Sequence, residues 1–268
     1  LHGTHVAGIV GAIRGNDIGM DGVASNVRIM SVRAVPNGDE RDKDVANAIR
    51  YAVDNGATVI NMSFGKGYSP YKDAVDAAVR YAVSKDVILV HAAGNDGKEN
   101  DFDNNFPHDK FERRGLFRPK DAETWIEVGA MAASNDENLT AGFSNWSADK
   151  VDVFAPGVEI YATVPDDNYQ DLQGTSMAAP MVAGLAATLR SYFPDLTAQQ
   201  VKQIIMDSSI QPSFLVNVPG EDDKQVMLNK LSVTGGVVNT LSAVQMAMNT
   251  QGKKKKATSR DTALIPRA

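Results

Sequence analysis

Near-continuous apolar runs at 27–35, 58–62, 87–92 and 126–131 are separated by stretches of a different period. Runs of this length read as strands buried on both faces, the condition of a parallel sheet. Between them, 44–54 carries Val45, Ala48, Ile49, Ala52 and Val53 at helical spacing, and 71–83 does so with Ala74, Val75, Ala78, Val79 and Ala82. Strand and helix in alternation require crossover connections, which predicts an α/β fold: a doubly wound, mostly parallel sheet with helices on both faces. The segment 176–192 is rich in Ala, Gly, Met and Leu nearly all round, as suits a helix through the centre of the domain. A further helix is expected at 197–207 after Asp195-Leu196-Thr197, and a last one after Gly235-Gly236, ending near Met248.

Three short stretches carry residues able to do acyl-transfer chemistry. In Gly174-Thr175-Ser176-Met177-Ala178-Ala179-Pro180 a serine stands where a loop becomes a helix. Free backbone N–H groups and the helix dipole there favour developing negative charge. Leu1-His2-Gly3-Thr4-His5-Val6-Ala7-Gly8 supplies a histidine at a helix start, a candidate base. His91-Ala92-Ala93-Gly94-Asn95 ends an apolar strand on a side-chain amide able to face an oxyanion. Taken singly, Ser176 is a helix cap and Asn95 part of a Gly-Asn turn; it is their combination that points to catalysis. His2 and His5 lack the acid of an HExxH zinc site, and His91, within a strand, reads as a satisfied core histidine.

These blocks, with Val59-Ile60-Asn61-Met62-Ser63-Phe64-Gly65, stand in the order found in the subtilisin-like serine proteases, and the chain resembles that family from His2 to about Asn249. The resemblance implies a three-layer sandwich and a serine endopeptidase working through an acyl-enzyme. His2 would be the general base, Ser176 the nucleophile and Asn95 a donor in the oxyanion hole. It also implies that the triad aspartate and its strand lie upstream of Leu1, so that this chain is N-terminally truncated, lacks the first strand and is nearly inactive alone. Substrate would add as a strand along Ser63, Phe64 and Gly65. Ala92, Ala93 and Gly94 would wall the primary pocket, with Asn105 near its base and no charge there. Phe64 either narrows a distal subsite or packs against its own loop. The loop Gly38-Asp39-Glu40-Arg41-Asp42-Lys43-Asp44 would face that segment with four acids against two bases. The alternative is a subtilase-like domain that binds peptide without cutting. A serine esterase of the α/β-hydrolase type is excluded, because Ser176 lacks the GxSxG context and no histidine follows it.

The 268 residues, 43% of them hydrophobic, suffice for one core, with a peptidase domain over 1–250 and a disordered tail over 251–268. Net charge of −6 argues against a nucleic-acid partner, despite Lys253-Lys254-Lys255-Lys256. No apolar run is long enough to cross a bilayer, and with no cysteine there is neither a disulfide framework nor a thiolate site. The chemistry needs no cofactor. Structural calcium is an open expectation: Asn16-Asp17-Ile18-Gly19-Met20-Asp21-Gly22 reads either as a cation loop of the family or as a surface turn, and no metal is assigned. The partners expected are protein or peptide substrates, with a monomer when complete. The resemblance places the protein outside the cell, in the periplasm or at the cell envelope. The polar stretch 96–123 is expected to be loop, with 110–120 an insertion.

Overall fold

Parallel ladders join β1 (Val59–Met62), β2 (Ile88–Ala92), β3 (Trp125–Met131) and β4 (Val153–Pro156) in that order. The computed structural model describes residues 1–101, 104–111 and 121–253. Alternate residues of β2 and β3 face opposite layers. Ile88, Val90, Ala92, Ile126, Val128 and Ala130 pack with α4 (Thr175–Tyr192), α5 (Ala198–Asp207) and α6 (Thr240–Met248). Leu89 and Trp125 pack on the other side with α2 (Asp42–Asp54) and α3 (Lys72–Ser84). The expected doubly wound sandwich is present, with helices on both faces.

Short polar devices fix where the helices start. Thr197 and Gln200 form a reciprocal capping box at the head of α5. Asp86 accepts from the Ala198 N–H and pairs with Arg190, tying the α3–β2 turn to the end of α4 and the start of α5. An antiparallel hairpin, β5 (Ile160–Val164) and β6 (Asn168–Leu172), lies over α1 (His2–Gly11). Its Thr163 hydroxyl donates to the Thr4 carbonyl, and His5 Nε2 donates to the Gln170 carbonyl at 2.9 Å. His5 is thus a buried hydrogen-bonding residue. A small ribbon, β7 (Val216–Asn217) with β8 (Gln225–Val226), completes the strands.

One expected strand is not formed. Residues 27–35 lie in no ladder, with Ile29 48% and Met30 40% exposed. An apolar run is buried on two faces only when strands flank it, and no described strand pairs with 27–35: Val27 and Ile29 lie against Gly11 of α1, while Val32 and Ala34 line an open cleft with Asn47, Ala48 and Tyr51 of α2. β1 likewise has a strand on one side only among the described residues. The expected loop over 96–123 has no helix or strand among its described residues. Most of the expected insertion, 112–120, and the tail from 254 on lie outside the described residues.

Candidate active site

The helices α1 and α4 run side by side in the same direction. Val6 and Ile9 pack with Met177 and Met181, and one turn further Gly184 approaches the Val10 carbonyl, where a Cβ would meet it at 3.4 Å. Parallel packing brings both N-termini, and so His2 and Ser176, to one end of the helix pair. Gly174, with φ +145°, makes the turn into α4 that an L-residue would resist.

Ser176 is held by the strand end beside it. Its hydroxyl donates to the Ser63 carbonyl at 3.2 Å, and the Ser63 hydroxyl donates to the Ser176 carbonyl at 2.8 Å. That carbonyl is available because Pro180, four residues on, has no N–H to give it. The Ser176 N–H, in the first turn of α4, has no acceptor among the described residues, as first-turn N–H groups lack helical partners.

Asn95 is oriented by the same helix start. Its Oδ1 accepts from the Thr175 N–H at 2.8 Å and from the Thr175 hydroxyl at 3.1 Å. With the oxygen turned inward, the exposed amide –NH2 is the group left facing outward. The Thr175 hydroxyl also accepts from the Gly94 N–H, so the 92–95 segment and the head of α4 form one unit.

His2 makes no hydrogen bond to Ser176, and among the described residues no carboxylate orients its ring. Although the side chain reaches solvent, desolvation by the surrounding chain lowers its pKa from the usual 6.5, followed by the charge of His5. The ring is therefore held towards its neutral, proton-accepting form.

Gly65 presents an N–H and a carbonyl without partners among the described residues, while Lys66 and Phe106 exchange both backbone bonds beside it. A Cβ on Gly65 would stand 2.9 Å from Asn105 Oδ1, so glycine permits this approach of the two walls. Ala92 and Ala93 are buried, and Gly94 has φ +105° with Asn145 where a Cβ would go. Asn105 is buried too, donating to the Ala93 carbonyl. Ser63, Phe64, Gly65, Ala93, Gly94 and Asn105 are thus brought together around Ser176 by these bonds. Phe64 packs partly into the α2–α3 layer, which favours the packing reading of its ring.

Sequence reasoning missed Glu127. Its buried carboxylate stands directly behind Asn105, accepting from Asn105 Nδ2 at 3.1 Å, from Trp125 Nε1 at 2.7 Å and from His91 Nδ1 at 3.0 Å. A charged residue inside an otherwise apolar strand was the available signal. The rim loop also differs from its sequence count. Asp42 is buried and paired with Lys66 at 2.6 Å, so it contributes no free charge to the cleft.

In the 16–22 loop, side-chain oxygens bond nearby backbone N–H groups. Asn16 Oδ1 accepts from the Ile18 N–H, Asp21 Oδ1 accepts from the Gly15 N–H, and the Arg14 guanidinium lies 4.0 Å from Asp21.

Comparison with known proteins gives the same family as the site. The profile of the subtilase family matches residues 1–257, and the chain belongs to that family. It is 42% identical over 191 residues to a thermophilic serine proteinase of Bacillus sp. (strain AK1), covering 71% of this chain and 42% of that protein. It is 38% identical over 204 residues to subtilisin DY of Bacillus licheniformis, covering 75% of this chain and 67% of that protein. Among solved structures, the prenylagaramide maturation protease PagA superposes with a TM-score of 0.70 at 29% identity, covering 93% of this chain and 83% of that one. The chain spans about half the length of several curated relatives that it matches.

Proposed function

We propose that this chain is the catalytic domain of a serine endopeptidase. Ser176 Oγ attacks the scissile carbonyl while His2 takes its proton. The oxyanion is held by the Asn95 amide and the Ser176 N–H. His2 then gives the proton to the leaving amine, and water, activated by the same ring, hydrolyses the acyl-enzyme. Substrate adds as a strand along Ser63, Phe64 and Gly65, with an uncharged side chain between Ala92-Ala93-Gly94 and Asn105. The observation that carries this reading is the pair of unpartnered donors at one helix start, the outward Asn95 amide and the Ser176 N–H. The mechanism requires a carboxylate to orient His2, and none of the described residues supplies it. By family likeness the protein works outside the cytoplasm, as a monomer; no described helix is long and apolar enough to cross a membrane.

A second reading, a peptide-binding domain that does not cut, draws on one observation: the Ser176 hydroxyl is bonded to Ser63 and not to His2. In a form of the protein that includes the carboxylate orienting His2, a fluorophosphonate probe separates the two. Rapid labelling that is lost in Ser176→Ala supports the protease; a folded protein that binds peptide but does not label supports the alternative.

A further inference from the structure

Both ring nitrogens of His91 face acceptors: the Phe64 carbonyl and, when ionised, the Glu127 carboxylate. Nδ1 lies 3.0 Å from each Glu127 oxygen and Nε2 lies 2.7 Å from the Phe64 carbonyl. A neutral imidazole has one N–H and one lone pair, so it satisfies only one of these contacts and sets a lone pair against oxygen at the other. Glu127 is surrounded by donors in its turn, since Trp125 Nε1 and Asn105 Nδ2 complete its set. His91 is fully buried, with the Trp125 ring 5.1 Å away and tilted against it, so its ring nitrogens have no water to complete their bonds.

The geometry points to His91 as an imidazolium that, with Glu127, positions the two walls of the peptide cleft, so that peptide binding depends on the proton at His91. The inference rests on the cleft assignment made above. His91 holds the Phe64 carbonyl, next to Gly65, and Glu127 holds the Asn105 amide opposite; Gly65 and Asn105 are the walls that nearly touch. His91 reaches no substrate itself and is a positioning residue. When pH rises and the ring loses its proton, the remaining N–H stays with the carboxylate, the stronger acceptor. The Nε2 lone pair then repels the Phe64 carbonyl, and that wall shifts. Binding therefore weakens as pH rises.

Other charges face the pair from the neighbouring elements. Asp152, just before β4, accepts from the Glu127 N–H at 2.8 Å and is paired with Lys202 of α5 at 3.3 Å. Asp109 is pushed up to about 6 by burial and then by the charges of Asp152 and Glu127. Once ionised, Asp109 adds negative charge that favours the imidazolium.

The test uses the protein with Ser176→Ala, so that a bound peptide is not cut. NMR of the His91 ring should show two N–H groups, with one lost as pH rises, and peptide Kd should rise about tenfold in step, as for one lost hydrogen bond. His91→Gln should bind more weakly and without that pH response. Glu127→Gln, which removes the counter-charge, should move the transition to lower pH, and it serves where His91→Gln does not fold. A single ring N–H at every pH, or a Kd indifferent to loss of the proton, overturns the proposal alone. A folded protein that binds no peptide at any pH overturns the cleft assignment, and this proposal falls with it.

Discussion

Ser63 and Ser176 hold each other by reciprocal hydrogen bonds, each hydroxyl donating to the other's backbone carbonyl, at 2.8 Å and 3.2 Å. Pro180 makes this possible, since an N–H at that position would claim the Ser176 carbonyl for the helix. A proline inside α4 is costly to the helix alone; here it exports an acceptor to the strand end that lines the cleft.

Ser63→Ala should therefore destabilise the protein by about 1–3 kcal/mol, the cost of leaving a buried acceptor unmade. In a Pro180→Ala background the helix supplies an N–H to the same carbonyl, and Ser63→Ala should then cost less. Urea denaturation of the four proteins of this cycle measures the coupling. Equal costs in both backgrounds would show that Pro180 and Ser63 act independently.

Asn95 has two separable roles, one for each end of its amide. Asn95→Asp keeps an acceptor for the Thr175 N–H and loses the outward donor, so its melting temperature should stay near that of the parent while kcat falls. Removing such a donor costs about 100- to 1000-fold in subtilisin, a relative from which the figure is borrowed. Asn95→Ala should lose both rate and the helix-start bond, about 1 kcal/mol. An Asn95→Asp protein with unchanged kcat would remove Asn95 from the oxyanion hole.

Much of this was legible in the sequence because the information was local. The periods of 44–54 and 71–83, the glycine before Ser176 and the Gly94-Asn95 turn each act through near neighbours. The 27–35 run was misread because burial on two faces depends on flanking strands, which periodicity does not report. Glu127, and its pairing with His91, escaped for the same reason. They are neighbours only through β2–β3 register, 36 residues apart in the chain. Asp42 was counted as a free rim charge because its partner Lys66 lies beyond α2 in sequence.

His2 sets an expectation for pH. Its pKa is lowered, chiefly by desolvation, so the native state binds a proton less readily than the unfolded chain, and stability at this site rises with pH. The chain by itself should cleave casein slowly, because no described carboxylate orients the ring; loss of that group costs about 10,000-fold or more in subtilisin, again a borrowed figure. A His2-dependent stability of this chain that falls as pH rises, seen by comparing its melts with those of His2→Gln across about pH 5 to 8, would contradict the desolvated His2, and fast cleavage by the chain alone would contradict the need for an orienting acid.

Asp42 ties the cleft segment to α2 and should govern acid sensitivity there. Burial opposes its ionisation, but Lys66, the Tyr71 N–H and the Ser69 hydroxyl outweigh it and hold the carboxyl below its usual 3.8. A depressed folded pKa contributes stability that is present above the unfolded value and is lost as pH falls through the folded one. Asp42→Asn should therefore be less stable than the parent at neutral pH, with the gap closing below about pH 4 as the native carboxylate is protonated. Because Lys66 also donates to the Glu40 carbonyl and bridges to Phe106, loosening this pair should raise KM for peptides more than it lowers kcat. Thermal melts of both proteins across the acid range, read with KM at neutral pH, check this; a stability gap that persists at low pH would mean that Asp42 acts by packing and not by charge.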